Sequence, residues 1–113
     1  MNTNEIPQDG PSDWQPITNK RTLALLGKLG EEASELSSAA FRCIIQGVDE
    51  VEPTTGKPNR QWLEEEIADV LAMLAIIQHD MGLNQGSIMR RQMRKMNYKQ
   101  PWFDALKQQE TAP

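Results

Sequence analysis

The chain has 113 residues, 38% hydrophobic and 25% charged, with a formal net charge of −4. That length holds one ordinary domain with a small core, and the acidic balance argues against a general nucleic-acid coat. A single cysteine, Cys43, excludes an internal disulfide and a cysteine-rich zinc cage, no apolar run approaches the roughly 18 residues of a membrane span, and the N-terminus does not read as a secretory signal. A cytoplasmic protein with no membrane partner is expected.

Residues 1–17 hold Pro7, Gly10, Pro11 and Pro16 and read as an irregular arm, in which Trp14 is a docking group for the core, a partner subunit or a ligand. Thr18 or Asn19 is placed to cap a first helix that runs to about Gln46 and stops at Gly47. Its apolar stripe is Leu26, Leu29, Ala33, Leu36, Ala40 and Ile44. Pro53, Gly56 and Pro58 mark a loop, after which Asn59 suits the N-cap of a second helix from about Arg60 to Met81. The second stripe is Leu63, Ile67, Val70, Leu74, Ile77 and Met81, ended by Gly82. A third helix from about Gln85 or Ser87 to Asn97 closes at Pro101, and residues 105–113 read as a short tail.

No segment alternates with the period of a strand, so the expected fold is all-α, with residues 18–104 as one helical domain. Three amphipathic helices make a thin bundle, and a homodimer or homotetramer would complete its core.

The chemistry concentrates in two strings, Glu31-Glu32-Ala33-Ser34-Glu35 and Glu66-Ile67-Ala68-Asp69. At about 100° per residue, Glu32 and Glu35 stand about 60° apart on one flank of the first helix, beside the apolar stripe and near Lys28, while Glu31 points more to the far side. Glu66 falls inside the edge of the second apolar arc and Asp69 one step further out. If the helices pack through their stripes, four carboxylates converge, and such a group needs a cation between its members. Oxygen-only donors favour Mg²⁺ or Mn²⁺ over zinc. Downstream, residues 81–103 carry no acid but hold Arg90, Arg91, Arg94, Lys95 and Lys99.

The order Glu-Glu-x-x-Glu, loop, Glu-x-x-Asp, together with the contexts Lys28–Leu36 and Trp62–Leu71 and the later Arg94-Lys95-Met96-Asn97-Tyr98-Lys99, resembles the MazG-like all-α NTP pyrophosphatase family over roughly Leu23 to Trp102. The resemblance extends to its short single-domain members, including the phage MazZ-like branch. It implies hydrolysis of a nucleoside triphosphate between the α and β phosphates, with a purine deoxynucleotide, dGTP or dATP, as the favoured substrate. By motif position, Glu32, Glu35, Glu66 and Asp69 would hold Mg²⁺, which Mn²⁺ could replace. Glu31, Glu32 and Glu35 would be the catalytic acids, with Glu31 helping to orient or deprotonate water. Lys28, Lys95, Asn97, Lys99 and Trp14 are the candidate substrate contacts, with Trp14 able to stack on a base. Many members show Arg where this chain has Lys99, and Lys lacks the planar fork.

Two other readings follow from the same residues. One is a related phosphoribosyl-ATP pyrophosphohydrolase or a dUTPase-like enzyme. The other is a non-catalytic helical module whose acidic or basic face meets a macromolecular partner.

Overall fold

A computed structural model describes residues 13–111 of the protein. It contains three helices, α1 (Lys20–Gln46), α2 (Asn59–Asp80) and α3 (Gln85–Thr111). Among the described residues there is no strand, and one isolated antiparallel bridge joins Val51 and Pro58. The all-α expectation therefore holds. The N-terminal arm falls largely outside the described residues, which begin at Asp13; 13–19 have no helix. Residues 112 and 113 of the expected tail also lie outside them. The chain divides into two compact units, one through Met73 and one from Leu74.

In the first unit, Asn19 caps α1. Its backbone is extended and its Oδ1 accepts from the Thr22 amide at 3.1 Å. At the other end Gly47 takes a φ of 104° and its N–H donates to the Cys43 carbonyl at 2.9 Å. A Cβ at Gly47 would come within 2.9 Å of Glu50 Cγ, so glycine is required there for space as well as for backbone.

The covered register of α1 differs from the expected stripe. Leu25, Leu29, Glu32, Leu36, Ala39 and Cys43 form one line of buried or half-buried positions at alternating spacings of four and three, flanked by half-buried Thr22, Leu26, Ala40 and Arg42. Ala33 and Ile44, expected in the stripe, are exposed. That line has a period of 3.5, the register of closely packed antiparallel helices; it keeps Leu29 and Leu36 of the stripe read from the sequence, leaves Leu26 and Ala40 half-buried beside it, and takes in Glu32 and Cys43 in place of Ala33 and Ile44. Glu32 therefore sits inside the seam rather than at its margin. In α2, Glu66, Val70, Met73 and Ile77 are covered at spacings of four, three and four, so Glu66 is the counterpart of Glu32, while Ile67, Leu74 and Met81 of the expected stripe are exposed.

The 47–58 connection is ordered by its own hydrogen bonds. Glu52 N–H donates to the Lys57 carbonyl at 2.9 Å, and the Gly56 amide returns to the Glu52 carbonyl at 2.8 Å. The Glu52 carboxylate accepts from the amides of Thr54 and Thr55 and from the Thr55 hydroxyl.

Asn59 does not cap α2 as expected. It is the first helical residue and wholly buried, and its Oδ1 has no hydrogen-bond partner. Pro58 supplies the preceding carbonyl, which accepts from the Trp62 amide at 3.1 Å. The Asn59 side chain instead ties the two helices together, donating through Nδ2 to Gln46 Oε1 and to the Gly47 carbonyl, each at 3.1 Å. Its own carbonyl accepts from Cys43 Sγ at 3.8 Å.

In the second unit, α2 ends before Gly82, which takes a φ of 60°. Asn84 caps α3 by accepting from the Ser87 amide at 2.9 Å. Pro101 does not close α3, which continues to Thr111, so residues 105–111 of the expected tail are helical. Proline removes only one amide and obstructs only the turn before it. The residues after it contain no glycine, and Gln100 Nε2 donates to Asp104 Oδ1 at 3.0 Å across the interruption. Trp102 and Phe103 meet edge to face, with centroids 4.7 Å apart.

Candidate metal centre

Antiparallel packing along the 3.5-period seam brings Glu32 and Glu35 of α1 to Glu66 and Asp69 of α2. Each offers a carboxylate oxygen, and the four oxygens all lie within 4.8 Å of one another. Glu32 is buried, with 8% of its surface exposed, Glu66 is half-buried, and Glu35 and Asp69 stand at the open side. Both seam glutamates bury an oxygen, Oε2, that has no hydrogen-bond partner. A buried carboxylate oxygen left unpaired costs free energy that a cation would recover. Oxygens bound to Mg²⁺ at 2.0–2.1 Å stand about 3 Å apart when adjacent and about 4 Å apart when opposite. A four-oxygen group within 4.8 Å needs only slight contraction to reach that geometry, so the residues fit a hard divalent cation.

The electrostatics agree with the crowding. The Glu35 carboxyl titrates above its ordinary value of 4.5, chiefly through loss of hydration and then through repulsion by Glu32, Glu66 and Glu31. Lys28 opposes this, bridging Glu31 and Glu32 at 3.3 Å each. Its own pKa is raised, first by the hydrogen bond to Glu31 and then by that to Glu32.

The other sequence-derived candidates are distributed as follows. Glu31 is exposed, joined to Lys28, and outside the four-oxygen group. Trp14 is 75% exposed in the irregular segment before α1. Lys95, Asn97 and Lys99 are exposed on α3, in the second unit. Lys95 lines a shallow hollow of about 330 Å³ with Arg91, Arg94 and Tyr98. At 100° per residue Lys95 and Lys99 share a side of α3, while Asn97 falls almost opposite Lys95. The helix therefore does not aim all three at one ligand atom.

A cavity of about 600 Å³ opens beside the carboxylates and shares Glu35 and Glu66 with them. Its other walls include Ser38 and Arg42 of α1, Thr54 and Thr55 of the connection, and Trp62 of α2. Arg42, Ser38 and the threonines are absent from the sequence-derived candidates. Ser38 and Arg42 follow Glu35 at three and seven residues on the same flank, a spacing that could have found them. The threonines arrive through the fold of the loop, which leaves no periodic signal.

Comparisons of this chain with family models, curated proteins and solved structures gave no match.

Proposed function

We propose that the protein is a divalent-metal-dependent nucleoside triphosphate pyrophosphohydrolase of the MazG-like kind. Water attacks the α phosphorus, the α–β anhydride bond breaks, and a nucleoside monophosphate and pyrophosphate leave. The observation that carries this reading is the four-carboxylate group, two of whose members bury an unpartnered oxygen. Glu32, Glu35, Glu66 and Asp69 would hold Mg²⁺, or Mn²⁺ in its place. When bound, the cation supplies charge neutralisation for the phosphates and acidity for a coordinated water.

The remaining roles fall to the protein. The buried seam fixes Glu32 and Glu66 and limits water behind them, while Glu35, shared with the cavity, faces the substrate side. Glu31, outside the four-oxygen group, would help orient or deprotonate the attacking water. Lys28 holds Glu31 and Glu32 in orientation.

The proposal includes self-association into a homodimer or homotetramer in the cytoplasm. It draws support from the thin core: Ala39, Cys43 and Ile77 are the buried apolar residues among those described, while Phe41, Ile45, Leu71, Met89 and Trp102 are well exposed. Among the described residues no helix is long and apolar enough to cross a membrane. A pyrophosphate-release screen over all ribo- and deoxynucleoside triphosphates, with and without Mg²⁺, tests the activity. Release from at least one triphosphate only with metal supports it, and no release from any of them refutes it.

A further inference from the structure

The cavity beside the carboxylates has a chemical character distinct from theirs. Glu35 and Glu66 belong to the cation-binding group, and Glu52 commits its carboxylate to the amides of Thr54 and Thr55 and to the Thr55 hydroxyl. The one cation on its walls is Arg42. Among the described residues the Arg42 guanidinium has no hydrogen-bond or ion-pair partner, although three glutamates share its cavity. Its recorded contact is the face of Trp62, whose ring centroid lies 5.5 Å from Cζ. Lys57 Nζ also stands over that ring, at 3.9 Å, but its charge is taken up by Glu65. Arg42 is thus a planar fork steadied by an indole, with five N–H donors that no acceptor among the described residues uses.

Resting on the triphosphate reading above, we propose that this cavity receives the nucleoside end of the substrate and that Arg42 determines specificity by donating to the adjacent O6 and N7 acceptors of a 6-oxopurine. Position and charge support this assignment. Arg42 lies two turns from Glu35, about 10 Å of rise along the same side of α1, so the two are separated by roughly the span of a nucleoside. In the metal-free protein three carboxylates against one guanidinium give walls that repel a bare phosphate tail and admit an uncharged base and sugar. A cavity of about 600 Å³ is within the range that encloses a small organic ligand. Ser38 adds a hydroxyl that can donate or accept, and the Glu52 oxygens already accept from Thr54 and Thr55, so the guanidinium leaves this part of the lining richer in donors than in free acceptors. That balance favours a ligand edge made of acceptors. A 6-oxopurine presents two side by side, whereas a 6-aminopurine replaces one with a donor that would meet the guanidinium head-on.

Inosine and adenosine isolate that single difference, since neither carries a phosphate and neither needs a metal to bind. Their affinities, with cytidine alongside, are measured by calorimetry in metal-free buffer for the wild type, Arg42→Met and Arg42→Lys. Arg42→Lys keeps the charge and the apolar stem, and so guards against a folding defect in Arg42→Met. The expected result is inosine bound about tenfold or more tighter than adenosine by the wild type, with the preference lost in both variants. Equal binding of the two purines by the wild type, absence of nucleoside binding, survival of the preference in both variants, or cytidine bound as tightly as inosine would each overturn the proposal. An Arg42-dependent preference in a protein that releases no pyrophosphate would retire the reaction while leaving the pocket in place.

Discussion

Glu32 of α1 and Glu66 of α2 occupy matching positions in the helix–helix seam, and each buries its Oε2 without a partner. An apolar side chain at either place would extend the core, so the seam gives up packing to hold two acids against two more. Glu35 and Asp69, on the open side, are the members whose replacement disturbs packing least. Glu35→Gln and Asp69→Asn should each lower pyrophosphate release about 100-fold or more while leaving the helical circular dichroism unchanged, because the loss falls on cation binding. Near-normal turnover in both variants would remove the site assignment.

The same crowding sets a pH dependence. The native Glu35 carboxyl titrates above 4.5, so between that value and its raised one the folded chain holds more protons than the unfolded chain. Stability of the metal-free protein should therefore rise as the pH falls from neutral into that window. Mg²⁺ at neutral pH should substitute for the proton, stabilising the fold by about 2.7 kcal/mol at a hundred times its Kd. Thermal melts over pH, with and without Mg²⁺, check both. Glu35→Gln should flatten the metal-free pH profile, and a profile identical to wild type would show that the strain resides elsewhere.

The order and limits of the first two helices were legible because their punctuation is local. Asn19 caps, Gly47 takes a positive φ, and Gly82 stops α2. The acids were legible as a pair of strings, because residues three apart share a helix flank. The exact seam was harder to read. A period of 3.5 and a period of 3.6 differ by less than one residue over α1, yet that difference moves Glu32 from the margin into the core and Ala33 out of it. Pro101 misled for a related reason. Its penalty is paid in one turn, whereas the end of α3 is set by the ten residues that follow it. Arg42 was hidden because its significance comes from Trp62, twenty residues away, and from a loop whose fold no period announces.

Asn59 is the tie between the end of α1 and the start of α2. Asn59→Ala removes the donors to Gln46 Oε1 and the Gly47 carbonyl in a fully buried setting. It should cost about 2 kcal/mol in urea unfolding, the penalty of stranding buried acceptors. Because the same turn carries the loop that walls the cavity, nucleoside affinity should fall along with stability. A change within about 0.5 kcal/mol would mean that water satisfies these groups when the side chain is gone.

Glu52 organises that wall. Bonds from the Thr54 amide, the Thr55 hydroxyl and the Thr55 amide lower its pKa from 4.5 to about 2. A carboxyl depressed in the folded state stabilises the fold above its unfolded value, and that contribution drains away as the pH falls from 4.5 through about 2. Carbon-13 titration of the Glu52 carboxyl should give a midpoint near 2, with the Thr54 and Thr55 amide shifts following the same curve. Glu52→Gln keeps an acceptor but loses the charge that strengthens these bonds. It should speed amide exchange at Thr54 and Thr55 and weaken inosine binding while leaving the carboxylate group of α1 and α2 intact. If exchange at both threonines matched wild type, the loop would owe its shape to the Val51–Pro58 bridge and the Glu52–Lys57 backbone bond instead.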